Sequence, residues 1–288
     1  MSDARIVDRG YRPYDGPRLG APGAIRSLVR HTAWRVLGIR RNARTKVLPA
    51  LSAGIAYVPA VVFVGIAAFI PDDRLRDDVL PSYGEYYGFV TMAIVVFAAF
   101  VAPEALCPDR RSGMLGLYLA SPLTRDTYLL AKGVAVGGLL ALTTLGPPLL
   151  LLLANTLQGV GPDDPLDVLT TLARVVAAGF MLAAFFTVLS LVASSLTDRR
   201  AVASAGVVLV LLVSAVVANV LVEEMDAPGW VLAFDLFDTP FELAGRIFGE
   251  RGEVPEVSTA ALATSAAVVI GLGSLFVRTR YQRLAVVS

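Results

Sequence analysis

Charge is scarce in this sequence: Asp, Glu, Lys and Arg make up 17% of 288 residues, against 56% apolar. A soluble domain of this size needs a more charged surface to stay dispersed, so a free globular enzyme is excluded. Cysteine is reduced to Cys107, which rules out an intramolecular disulfide and a cysteine-built metal cluster. Histidine is reduced to His31, set among arginines. One histidine builds no metal site, so it reads as an interfacial side chain. There is no G-x-x-x-x-G-K-[ST] phosphate loop, no H-E-x-x-H and no G-x-S-x-G, and with them go the usual ATP cradle and the common hydrolase signatures. A net charge of +1 lacks the basic excess of a nucleic-acid binder. No apolar h-region follows the basic start, so the first span is expected to act as the insertion signal.

What is present is apolar sequence in long blocks. A helix crosses a bilayer with roughly 17–25 residues, and the absence of water there forces every backbone amide into helix. Six such blocks are expected, at about 48–70, 86–106, 131–153, 168–196, 201–222 and 257–277. The reading is therefore an all-α membrane protein of six spans, with a polar arm over 1–47, the spanning domain over 48–277 and a tail over 278–288. In the arm, Ile25, Leu28, Val29, Val36 and Ile39 share a helical face flanked by Arg26, Arg30, Arg41 and Arg44. That pattern predicts an amphipathic helix in the membrane plane, its arginines turned to lipid phosphates or a partner protein.

Charge predicts the orientation. Eleven basic residues lie in the arm, three between spans two and three, two in the turn at 198–200 and three in the tail. The alternate loops (71–85, 158–167 and 223–256) hold four basic residues and seventeen of the 24 acids. Basic segments stay in the cytoplasm, which puts both termini inside and the acidic loops outside.

Ionisable groups deep in a span usually mark ion or proton paths, and the span centres here are nearly bare. Glu104 stands near the basic end of span two. It reads as a relay or as a helix-end carboxylate paired with Arg110 or Arg111, and its interfacial position favours the second. Arg174 can snorkel from the outer end of span four. Gly133 and Gly137 form a G-x-x-x-G, a seam for close helix approach within the chain or with a second one. In the last long loop Trp230, Phe234, Phe237, Phe241 and Phe248 recur at helical spacing. They predict one external helix with an aromatic stripe, an interfacial anchor or a substrate gate.

The most informative stretch is Pro103 to Lys132, PEALCPDRRSGMLGLYLASPLTRDTYLLAK. A span-end Glu104 is followed by Asp109, Arg110, Arg111 and Gly113, then by Leu115, Pro122-Leu123-Thr124-Arg125 and Lys132. This resembles the cytoplasmic segment of ABC type-2 permeases, the membrane subunits of ATP-driven exporters, with Ala131 where Gly is common and an unusual Cys-Pro after the Glu. The six spans, the basic arm helix and the long loop before span six resemble that family too.

The resemblance implies a coupling helix around Asp109–Tyr118 that docks in a groove of a separate ATPase subunit. It makes Glu104, Asp109, Arg110, Arg111, Gly113, Leu117, Tyr118 and Arg125 the candidate coupling residues. It further implies a second permease subunit, identical or related, ATP and Mg bound in the partner ATPase, and no catalytic residue, cofactor or metal in this chain. The expected setting is the plasma membrane. A hydrophobic or amphiphilic substrate, a drug or a lipid, suits a path with few charges. An ion-gradient transporter and a non-transporting membrane assembly protein are the alternatives.

Overall fold

The computed structural model describes residue 16 and residues 19–70, 79–162, 164–250, 252, 254 and 257–283. Pro71, Asp72 and Asp73, which follow the first expected span in the sequence, lie outside them. The described residues are helical, without strands, and six helical stretches are long and apolar enough to cross a membrane. In chain order the helices are α1 (Gly20–Val36), α2 (Ala43–Phe69), α3 (Tyr86–Val96), α4 (Cys107–Arg111), α5 (Leu115–Leu119), α6 (Arg125–Leu157), α7 (Pro165–Leu196), α8 (Arg200–Glu223), α9 (Thr239–Phe248) and α10 (Thr259–Arg283).

The spans form two classes. The stretch from α3 to α4, α6 and α7 are buried over more than half of their most apolar windows, while α2, α8 and α10 are buried over less than a quarter. The central three make the core, and the outer three present apolar faces such as Val58, Val61, Leu209, Val216 and Leu272 to the surroundings. Close approach in the core depends on missing side chains. A Cβ on Gly179 of α7 would lie 2.2 Å from Leu145 of α6, and one on Gly146 of α6 would lie 1.8 Å from the Tyr57 hydroxyl of α2. Hydroxyls then bridge to neighbouring backbones: Thr144 donates to Gly179 O (2.8 Å), Ser52 to Ala93 O (2.9 Å) and Tyr86 to Ala56 O (2.7 Å). Such bonds hold helices together where no hydrophobic drive separates protein from lipid. Gly137 faces Thr187 of α7 and Gly133 faces Leu191, so both lie along the α6–α7 seam.

Two expected elements differ in extent. The arm helix stops at Val36, because Gly38 and Arg40 take left-handed backbone (φ 67° and 64°) and turn the chain into α2. Ile39 and Arg41 therefore lie in the turn, and Arg44 sits in the first turn of α2. The aromatic stripe is not one helix. A 3₁₀ segment, Gly229–Phe234, ends where Asp235 Oδ1 accepts from the amides of Phe237 (2.8 Å) and Asp238 (3.1 Å), and α9 starts afresh at Thr239. That side-chain mimicry of a turn competes with helix continuation. Trp230 and Phe234 stay exposed and meet edge to face at 6.0 Å, while Phe237 and Phe241 pack against the core.

The basic segments meet at one end of the bundle. Arg278 near the end of α10 forms a two-pronged pair with Asp126 (2.9 and 3.0 Å), and Arg125 donates to Gln282 O. α1 packs along the start of α6, and the turn at 197–200 receives Arg110.

Candidate functional site

The segment joining α3 to α6 begins with a break in the helix. Pro103 has no amide hydrogen for the i−4 bond, and the chain widens into a π turn over Phe97–Val101 before tightening into 3₁₀ over Ala102–Ala105. Arg200 occupies the carbonyl of Phe100 at 2.7 Å. Past the break come two single-turn helices, α4 and α5, hinged at Gly113 in left-handed backbone (φ 64°). Thr124 then caps α6 reciprocally with Thr127: each side chain accepts the other's amide, at 3.2 and 2.8 Å.

Beneath this segment lies a buried ionic cluster. Asp109 is 1% exposed and Lys132 of α6 is fully buried. Lys132 Nζ lies 2.6 Å from Asp109 Oδ2 and faces the rings of Tyr118 and Tyr128 at 5.7 and 5.4 Å. It completes no hydrogen bond of good geometry, so the ring faces take up its remaining charge. The Tyr128 hydroxyl donates to Asp109 Oδ2 at 2.9 Å, and Arg35 of α1 pairs with Oδ1. Burial by itself would lower the Arg35 pKa, but its hydrogen bond to Asp109 and that residue's charge raise it overall. Burial, and then the Asp109 charge, also raise the Tyr118 phenol. Tyr281 of α10 stacks on Tyr128 at 6.0 Å and closes the cluster. Desolvating each ion costs several kcal/mol, which only close pairing offsets.

A second carboxylate is held beside it. Glu104 is 6% exposed and pairs with Arg41 of the α1–α2 turn and Arg200 of α8 (3.0 Å). The expected partners Arg110 and Arg111 do not reach it. Arg110 instead donates to the carbonyls of Ser195 and Thr197 (3.4 Å) at the end of α7, where the helix dipole favours a cation. Cys107 is buried against the same two turns, 3.9 and 3.7 Å from Ser194 O and Thr197 O.

The sequence-predicted residues thus separate by depth. Glu104 and Asp109 face inward, Arg110, Tyr118 and Arg125 are half-buried, and Arg111, Gly113 and Leu117 are exposed, Leu117 by 65%. Arg35, Tyr128 and Arg200 were missed as site residues. The available signal was a balance of charge: two carboxylates at a span end need cations, and Lys132 alone does not suffice. Among the outer elements, α2 and α8 enclose a cleft of about 1070 Å³ with Arg44 and Arg200 at its mouth and Leu48, Val208 and Leu212 along it.

The ABC-2 family transporter protein model matches residues 26–230, which include most of α1, the whole α3–α6 segment and the first five spans. No curated protein matches the chain. The match covers well over half the sequence and implies work alongside an ATP-binding-cassette ATPase. This multi-pass membrane protein belongs to the ABC-2 transporter family, as a permease.

Proposed function

We propose that the chain is the permease subunit of an exporter for a hydrophobic or amphiphilic substrate, and that a separate ATPase docks on the exposed face of α4 and α5. One observation carries the docking reading: a short hinged segment offers Arg111, Gly113 and Leu117 outward while its inner face is tied to three other helices, by two ion pairs and a hydrogen bond. A surface that must receive a push needs an exposed contact and a rigid inner attachment. By the distribution of basic residues this end faces the cytoplasm, with both termini there, and the membrane is the plasma membrane. ATP and Mg belong to the partner, and this chain contributes no catalytic group to hydrolysis.

A second permease subunit, identical or related, would cover the apolar faces of α2 and α8, so that their cleft becomes half of a substrate path. The cleft is apolar with a cationic mouth, which suits an amphiphile. ATP binding would shift a two-state arrangement of the spans, and export as the direction follows the family resemblance.

The test is affinity purification of the tagged chain from its native membrane, beside an Arg111→Glu/Leu117→Asp variant. An ATPase that accompanies the wild type and is lost from the variant is the expected result. Equal recovery with both removes the docking face. Recovery with neither, together with transport that follows an ion gradient, sinks the exporter reading. An ATPase that is bound but never stimulated by amphiphiles points to an assembly protein.

A further inference from the structure

The α1–α2 corner carries a constructed cationic site that the coupling apparatus does not use. Arg26, Arg30 and Trp34 follow one another at i, i+4 and i+8 along α1, on a different row from the buried Leu28, Thr32 and Val36. The Arg30 guanidinium lies 4.2 Å from the Trp34 ring centroid, and Arg40 lies 4.9 Å from the same ring. Arg40 reaches back because its own backbone is left-handed (φ 64°), an uncommon conformation for a residue with a Cβ. Gly38 allows the same turn, since a Cβ there would lie 2.9 Å from Thr45 O. Strain of this kind persists where its surroundings hold it, and here its effect is to bring a second guanidinium onto one indole.

The cations themselves are unspent. Arg26, Arg30, Arg40, Arg44 and Lys46 are exposed, and none forms an ion pair among the described residues, in contrast to Arg35 and Arg41, which turn inward to Asp109 and Glu104. Five like charges with no ion pair among the described residues repel one another, so their concentration at one corner calls for an anion. The corner also stands at a defined height. α2 is a candidate span that begins at Ala43, three residues after Arg40, which places Trp34 and its two arginines at the level of lipid headgroups. An indole at that level is a usual interfacial anchor.

We propose that Trp34, Arg30 and Arg40 form a headgroup site for an anionic phospholipid, with Arg26 and Arg44 beside it, and that this lipid fixes α1 on the membrane surface. The stacked guanidiniums keep their N–H edges free for phosphate oxygens while the ring holds their planes. Arg35 follows Trp34 on the same helix and pairs with Asp109, so the lipid and the docking segment hold α1 from two sides.

Trp34 reports on its own site. The chain has two tryptophans, so Trp230→Phe leaves Trp34 as the single indole. This full-length variant is placed in nanodiscs of phosphatidylcholine, and phosphatidylglycerol is added in steps. The expected result is a saturating change in Trp34 emission that phosphatidylcholine does not give. Arg30→Gln or Arg40→Gln each raises the midpoint by roughly 5-fold, near the value of one basic residue at an anionic surface. Raised salt weakens the response. Three outcomes overturn the proposal: no change with phosphatidylglycerol, a change indifferent to both arginines, or the same change with free glycerol phosphate, which would make the site one for soluble phosphates. A change that appears only when the ATPase is added assigns the corner to a protein partner instead.

Discussion

Asp109 stands between two cations, and that arithmetic decides what each substitution does. Lys132→Met leaves Asp109 paired with Arg35, one charge against one. Asp109→Asn leaves Arg35 and the fully buried Lys132 facing each other with no anion between them. Breaking a buried pair so that a charge stays uncompensated costs about 3–5 kcal/mol, and the balanced loss costs less. The expected order of thermal stability in detergent is wild type, then Lys132→Met, then Asp109→Asn, with Asp109→Asn/Lys132→Met above Asp109→Asn alone. Equal losses for the two single variants would contradict the cluster as described. Cys107 offers an independent reading, since it is the chain's single cysteine and is buried two residues from Asp109. A maleimide should label it slowly in the wild type and several-fold faster in Asp109→Asn, as the segment loosens. The residues of this cluster were partly legible beforehand. Asp109 and Lys132 stand out by their order along the chain, but Arg35 carries no such mark among the arginines of the arm. A helical face drawn from apolar residues does not say which of its flanking cations meets a carboxylate 74 positions away.

At the scale of elements, the six spans were readable because hydrocarbon admits only long apolar helices. Their ends were less so. α6 starts at Arg125 instead of about 131, since Arg125, Asp126 and Thr127 form a capped polar first turn that a hydropathy window passes over. The aromatic stripe around Trp230 to Phe248 keeps helical spacing across a break, because spacing alone does not register the turn that the Asp235 side chain makes. Packing between elements was the least legible, for a single glycine can carry it. Gly179 is such a case: any Cβ meets Leu145 and crowds the bond from Thr144 to its carbonyl. Gly179→Val should cost about 1–3 kcal/mol by overpacking and lower the yield of monodisperse protein in size-exclusion chromatography. Gly138→Val, one position past the seam where a Cβ meets nothing within 4 Å, is the control expected to behave as wild type.

For the molecule as a whole, the proposed docking of an ATPase on α4 and α5 raises the question of how a push there would reach the spans. Three attachments are available: Lys132 to α6, Arg35 to α1 and Arg110 to the carbonyl end of α7. The third touches one of the three core spans without carrying the burden of charge balance, because its partners are neutral carbonyls. Arg110→Gln should therefore leave the fold in place. It also leaves Arg111 and Leu117 exposed for docking, so the ATPase should still purify with the variant. What should fall is the link between the two, measured as substrate moved per ATP hydrolysed in proteoliposomes. Coupling energies of the usual size imply a loss of about 5- to 150-fold. Arg111→Glu/Leu117→Asp should do the opposite, losing the ATPase altogether. If Arg110→Gln also loses the ATPase, Arg110 belongs to the docking surface and the path to α7 has to run through another contact. If the variant binds the ATPase and transports at the wild-type ratio, the Ser195 and Thr197 carbonyls are a resting place for the guanidinium, and Asp109 with its two cations is left to carry the motion.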